Sequence, residues 1–286
     1  MKAQPHTEGC QNASTSIKVM TQLFLILFFP CATFAVEGQG DSTLVPITKV
    51  FYRMDKNAIG SIEDNYGLNY LVGGAATYGI VKDGFDWRWY RNAQDHKWIS
   101  NAGFVSVAVG PLASVAVPLG LYLHGRSNED RQLQITGLAL GQAAILGALI
   151  TSGLKVFTGR EPPPEQQATM NDNSHNFRFG ILRGGVYEGW PSSHTCTAFA
   201  MAVTLAKLYP DNATIRYGGL AYASLIGLGV STNIHWFSDA VAGAFIGYAI
   251  GEAVGSSYAT LLKGDGGNQS IRFFLSPTGI GFAYQF

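Results

Sequence analysis

Residues 235–239, His235-Trp236-Phe237-Ser238-Asp239, place an imidazole and a carboxylate four positions apart where a helical-looking run begins. On a helix, residues four apart share a face. Asp239 can therefore accept a hydrogen bond from one ring nitrogen of His235, which fixes the tautomer and leaves the other nitrogen with a free lone pair. A pair of this kind also occurs as a purely structural contact, so the interpretation depends on two segments upstream.

The nearer segment is residues 191–194, Pro-Ser-Ser-His. It has the composition of a helix start, with Ser192 or Ser193 as the cap. The free amides at such a start form an anion site, so both serines are candidate phosphate-binding residues. His194, in the first turn, would face the bound anion and could protonate a leaving alkoxide.

The second segment carries two cations. Lys155 ends a long apolar run and Arg160 lies in the turn that follows, where both can reach a shared anion. Phosphoryl transfer needs cations around three anionic oxygens, a nucleophile in line and a proton for the leaving oxygen. The three segments together offer a candidate for each role, although Lys155 could instead pair with a helix C-terminal dipole.

At these residues the chain resembles the type 2 phosphatidic acid phosphatase superfamily, which shares its helical-bundle fold with bacterial non-specific acid phosphatases and vanadium haloperoxidases. The resemblance covers about residues 130–256. It implies an all-α bundle in which Lys155 binds phosphate, His194 is the general acid, His235 is the nucleophile and Asp239 orients it. The chemistry so implied requires no metal and no cofactor.

Two motif positions depart from that family's pattern. The family's first motif reads Lys-(six residues)-Arg-Pro, and its arginine falls on Pro162. The third reads Ser-Arg-(five residues)-His-(three residues)-Asp, and its arginine falls on Gly229. Each loss would weaken transition-state stabilisation by about a few kcal/mol. We hypothesise that Arg160 replaces the first arginine and that Arg178 or Arg183 supplies the second, because both closely precede the His194 segment.

Composition indicates contact with a membrane. Of the 286 residues, 13% are charged and 47% are apolar, against about 25% charged in an ordinary soluble domain. Residues 101–123 and 132–154 are uncharged and each long enough to cross a bilayer, although a buried helix of a soluble domain has the same pattern. We expect membrane association. With 19 basic and 19 acidic residues and no basic stripe, we expect no nucleic-acid partner.

The ends of the chain predict further segments. Residues 1–35 have the pattern of an export signal, with an uncleaved anchor as the alternative. Residues 36–66 predict a loosely structured lead, and residues 67–262 predict the helical phosphatase domain. Residues 263–286 predict a glycine-rich linker and a C-terminal β-hairpin.

The sequence thus predicts an exported phosphatase, a phosphoric monoester hydrolase working through a phosphohistidine, in the periplasm or at the periplasmic face of the membrane. A membrane-bound form would suit a lipid phosphate, and a soluble form a small phosphate ester. Two alternatives remain open. The missing arginines could mark a degenerate, non-catalytic membrane or phospholipid-binding relative. A vanadate-dependent haloperoxidase ranks lower, because the missing arginines argue against tight retention of vanadate.

Overall fold

The computed structural model describes residues 44–164, 171–178 and 189–264, and the backbone of residues 270–276 and 279–285. The prediction of a mainly helical chain is confirmed in these ranges, which hold a short 3-10 helix, eight α-helices and two paired strands. Their bounds are Ile47–Phe51 for the 3-10 helix, then α1 (Met54–Gly60), α2 (Asp64–Lys82), α3 (Phe85–Asp95), α4 (Lys97–Ser127), α5 (Arg131–Thr158), α6 (Ser193–Leu208), α7 (Ala213–Val230), α8 (Phe237–Leu262), β1 (Ser270–Ser276) and β2 (Gly279–Gln285).

Local sequence sets both ends of α5. The Asp130 side chain caps its start by accepting a hydrogen bond from the N–H of Leu133 at 3.0 Å. At the other end, Gly159 adopts a left-handed φ of 48° and its N–H donates to the carbonyl of Lys155 at 2.9 Å. This glycine turn directs the chain away from the helix and places Arg160 in the interior.

A row of glycines brings α6 and α8 into close contact. A Cβ added at Gly243 would lie 2.6 Å from the carbonyl oxygen of Ser192, and one at Gly247 would lie 2.3 Å from that of Cys196. The row continues one turn at a time along α8, through Gly251 and Gly255. Only residues without a side chain allow this approach, which places the start of α8 beside the start of α6.

The outward face of α4 is apolar. Three described helices, α4, α5 and α8, are long and apolar enough to cross a membrane. In α4 only 17% of the most apolar window is buried within the protein. Its exposed side chains include Phe104, Val105, Leu112 and Leu123. Soluble monomers rarely expose contiguous apolar patches of this extent, so the outward face of α4 has the character of a lipid contact.

Residues 44–66 fold onto the bundle, whereas the sequence predicts a loosely structured lead over residues 36–66. Buried polar side chains hold the segment in place. The Gln142 side chain donates to the carbonyl of Val50 at 2.6 Å and accepts from Nδ2 of Asn57 at 2.6 Å. The Tyr258 hydroxyl donates to the carbonyl of Lys49 at 2.6 Å. These partners lie far along the chain, so the local pattern could not reveal them. The predicted export signal lies outside the described residues.

Candidate active site

Two histidines that are distant in sequence converge at one end of the bundle. The imidazole rings of His194 and His235 lie edge to face, with their centroids 5.9 Å apart and their planes at 65°. His194 is in the first turn of α6, and His235 is buried in the turn that precedes α8. At this separation one tetrahedral anion can contact both rings.

Asp239 lies beside His235, but His235 precedes α8, so the pair spans the helix start and does not share a helical face. Its Oδ2 lies 3.7 Å from Nδ1 of His235 and accepts a hydrogen bond from the backbone N–H of Trp236 at 3.0 Å. The 3.7 Å between Nδ1 of His235 and Oδ2 of Asp239 is too long for a hydrogen bond. The two groups therefore interact through an electrostatic contact. A carboxylate beside Nδ1 favours the proton on that nitrogen, which leaves the lone pair on Nε2.

His194 is held by α4, through packing and through the backbone of Val107. Its ring lies against α4 at Gly110, where an added Cβ would be 3.4 Å from Cδ2. Its Nδ1 is buried and has no hydrogen-bond partner within 3.5 Å in the described part of the chain. A buried ring nitrogen in this state is unusual and leaves donor or acceptor capacity for a ligand or a water molecule.

Burial favours the neutral form of both rings at pH 7. Burial, together with smaller effects of the neighbouring His235 and Lys155, lowers the pKa of His194 to about 3. Burial is also the main cause that lowers the pKa of His235, with Lys155 and Arg160 acting in the same direction and Asp239 opposing them. A phosphate dianion placed between the rings would reverse these effects, because an adjacent negative charge favours the protonated imidazole.

Three of the predicted phosphate-binding residues, Lys155, Ser192 and Ser193, lie near the two histidine rings in distinct roles. Lys155 is buried in the last turn of α5, close enough to both histidines to lower their pKa. Ser192 is the cap of α6, and its Oγ accepts from the N–H of Thr195 at 3.4 Å. The Ser193 hydroxyl pairs with Oγ1 of Thr151 at 2.7 Å. The amides of Ser193 and His194 have no acceptor inside their own helix, so they are available to bind an anion.

Arg160, the other predicted phosphate ligand, instead has all five of its N–H groups bonded within the protein. Nε and Nη2 donate to the carbonyl of Ser174 at 2.8 and 2.5 Å, and Nη2 also donates to Asp86 at 2.7 Å. Nη1 donates to Oγ of Ser238 at 2.7 Å and to Oδ1 of Asp239. A guanidinium has five such donors, so none is left for a substrate.

The structure shows what surrounds Pro162 and Gly229, the two positions where the family has arginine. The carbonyl of Pro162 accepts from Nδ2 of Asn173 at 3.0 Å in the loop after α5. A Cβ on Gly229 would lie 2.0 Å from Oγ of Ser106, so the close packing of α4 on α7 leaves no room for an arginine there.

The two arginines proposed to compensate are placed differently by the structure. Arg178 is exposed, and its backbone N–H donates to the carbonyl of Gly159 at 3.2 Å, next to Arg160. Arg183 lies outside the described residues.

Sequence reasoning missed Asp86. This residue of α3 is fully buried and contacts both Arg160 and Ser238. The sequence shows Asp86 only as an acidic residue within the aromatic and basic stretch of residues 85–91. No spacing rule links it to Ser238, about 150 residues later. The described residues contain no cluster of three or more histidine, cysteine, aspartate or glutamate side chains suited to a metal ion.

Comparison with known proteins gives a family match and one curated relative. Residues 136–261 match the sequence profile of the PAP2 superfamily, which confirms the resemblance seen in the motifs. A curated relative, the lipid A 1-phosphatase of Porphyromonas gingivalis, is 36% identical over 84 residues. That alignment covers 28% of this chain and 19% of the relative's length. No solved structure matches the chain.

Proposed function

We propose that this chain is a membrane phosphatase that removes a phosphate group from a lipid through a phosphohistidine intermediate. The observation that carries the proposal is the convergence of His194 and His235, with ring centroids 5.9 Å apart, beside the buried Lys155. The match to the PAP2 superfamily and the similarity to a lipid A 1-phosphatase support the phosphatase activity.

In the proposed mechanism, Nε2 of His235 attacks the phosphorus atom and the bond from phosphorus to the alkoxide oxygen breaks. The proton that His194 takes up when the dianion binds passes to the leaving oxygen. Lys155 and the first amides of α6 balance the negative charge. Water then attacks phosphorus, gives its proton to His194, and releases inorganic phosphate together with free His235.

A lipid substrate fits the exterior of the bundle better than a soluble ester does. The apolar side chains on α4 face outward, and α4 also supplies the Gly110 surface behind His194. The wall of the site therefore belongs to a helix with the character of a lipid contact. We further propose that the site opens on the exported face, since residues 1–35 have the pattern of a signal.

The proposal is tested by phosphate release from the purified, detergent-solubilised protein. The substrates are phosphatidic acid, lipid A and glycerol phosphate, and the variants are His235→Ala and His124→Ala. His124 is an exposed histidine at the end of α4 and serves as the matched control. We expect wild type and His124→Ala to release phosphate from at least one lipid, and His235→Ala to release none. Equal release by wild type and His235→Ala would exclude the mechanism.

The exported orientation is tested separately in cells. An impermeant phosphatase substrate added to intact cells should be hydrolysed at the same rate as after permeabilisation. Hydrolysis that appears only after permeabilisation would place the site on the other face.

A second candidate is a lipid-phosphate-binding protein without catalysis. It is favoured by the replacement of two family arginines by Pro162 and Gly229, and by the complete internal bonding of Arg160. In that case lipid phosphate would bind to vesicle-reconstituted protein while no phosphate is released from any substrate.

A further inference from the structure

Asp86 is bound on both oxygens to the segment that carries the catalytic carboxylate. Oδ1 accepts from the backbone N–H of Ser238 at 2.8 Å, and Oδ2 accepts from the Ser238 hydroxyl at 2.6 Å. Oδ2 also accepts from Nη2 of Arg160 at 2.7 Å. Because Ser238 directly precedes Asp239, Asp86 fixes the first turn of α8 from the side of α3.

Arg160 lies between two buried carboxylates. One edge of its guanidinium donates to Asp86, and the other donates to Asp239. All three side chains are at most 1% exposed. The aromatic rings of Phe177 and Trp236 lie 5.0 and 5.7 Å from the guanidinium carbon. The planar guanidinium fork is therefore fixed in one orientation, and that orientation sets the position of Asp239.

The charges of the three groups do not cancel. Two carboxylates around one guanidinium leave a net charge of about −1, which Asp239 presents to His235 and which offsets the nearby Lys155 cation. If Asp86 were neutral, Arg160 would cancel the charge of Asp239, and His235 would face a neutral pair. The nucleophile becomes cationic when it forms a bond to phosphorus, so it needs that residual negative charge.

We propose that Asp86 is a positioning residue of the active site, acting through Arg160 and Ser238 to hold Asp239 charged and aligned beside His235. The inference rests on the proposed function for its kinetic consequence only. It gives Arg160 a role in orienting the nucleophile rather than in contacting phosphate. It also makes α3, which precedes the matched region of residues 136–261, part of the catalytic centre.

The kinetic test uses Asp86→Asn, which keeps the shape of the side chain and removes its charge. The matched control is Asp83→Asn, three residues earlier, where an exposed aspartate pairs with the exposed Arg88. We expect Asp86→Asn to lower kcat roughly tenfold or more with KM nearly unchanged, and Asp83→Asn to change neither. Equal kcat for the two variants would overturn the inference.

A double-mutant cycle distinguishes positioning from a general loss of structure. If Asp86 acts through Asp239, Asp86→Asn should cause no further loss of kcat in an Asp239→Asn background. Effects that multiply would show that the two carboxylates act independently and would contradict the inference. If Asp86→Asn does not fold, Ser238→Ala replaces it. That variant removes the hydroxyl shared by Asp86 and Arg160, and we expect the same drop in kcat and the same non-additivity.

A spectroscopic readout keeps this inference separate from the proposed function. Nitrogen-15 imidazole spectra, with His235 assigned by comparison with His235→Gln, report its tautomer and titration without any substrate. The charged or titratable groups that face the His235 ring are Asp239, Arg160, Lys155 and His194. Asp86→Asn should move the His235 titration to lower pH, since a negative charge is removed. If the wild type released no phosphate, the proposed function would fail, and an unchanged His235 spectrum in Asp86→Asn would independently overturn this inference.

Discussion

The backbone N–H of Ser192 donates to the backbone carbonyl of Asp239 at 3.0 Å. This bond joins the cap of α6 to the first turn of α8 without using either side chain. His194 follows two residues after Ser192, and His235 precedes Asp239 by four. The relative position of the two imidazoles therefore depends on how closely these two helix starts approach, which the glycines of α8 permit.

A side chain added at the contact between α6 and α8 should push the two helix starts apart. We predict that Gly243→Ala destabilises the protein by about 1–3 kcal/mol, because its Cβ would lie 2.6 Å from the Ser192 carbonyl oxygen. Gly153→Ala is the matched control, since nothing lies within 4 Å of a Cβ there. It should be neutral or stabilising by up to about 1 kcal/mol through helix propensity. Thermal unfolding in detergent measures both, and equal stability of the two variants would show that the contact is unimportant.

The proposed role of His194 as proton donor predicts a dependence on the leaving group. His194→Gln should lower turnover of an alkyl phosphate by about 10²–10⁴-fold, because an alkoxide must be protonated as it leaves. The loss should be much smaller for p-nitrophenyl phosphate, whose leaving group is a weak base. Rates for both substrates on the same preparation provide the check. An equal loss on the two would indicate that His194 binds phosphate without donating a proton.

The neutral histidines predict how stability depends on pH. Burial holds the folded-state pKa of His194 at about 3 and that of His235 below 6.5, whereas both titrate near 6.5 when unfolded. The unfolded chain therefore binds more protons below pH 6.5, and stability should fall as the pH falls from 6.5 towards 3. His194→Gln should show a smaller loss over this range, and the exposed His124→Gln should match the wild type. A wild-type melting temperature that stays constant across this range would contradict the assignment of neutral buried rings.

The compensation for the missing arginines can be tested at the loop before α6. Arg178 is backbone-bonded to Gly159, so its side chain begins beside the site. If it supplies the missing cation, Arg178→Ala should lower kcat/KM by roughly 10²–10³-fold, the size of effect seen for a single stabilising donor. Arg183→Ala is made in parallel. Full activity in both variants would show that neither arginine reaches the transition state.

Part of the candidate site could be predicted from local spacing. His235 and Asp239 lie four residues apart across the start of α8, and Ser192 caps the start of α6, so both required only short-range rules. The long apolar runs likewise predicted α4 and α5, because helix length and composition are local properties.

The part that could not be predicted depends on contacts between distant segments. Arg160 has the sequence position of a phosphate ligand, but its direction is set by Asp86 and by the carbonyl of Ser174. Residues 44–66 look unstructured alone because the groups that satisfy their carbonyls, Gln142 and Tyr258, belong to helices far along the chain. The periodicity of a single segment cannot predict hydrogen-bond partners that lie far along the chain.

The central claim is that His235 carries the phosphate during turnover. Wild-type protein mixed with a lipid phosphate labelled with phosphorus-32 and quenched rapidly should retain label on the polypeptide. That label should be stable in alkali and lost in acid, as expected for a phosphoramidate, and should map to the peptide containing His235. Label that persists in His235→Ala, or wild-type turnover with no trapped label at any quench time, would contradict the account.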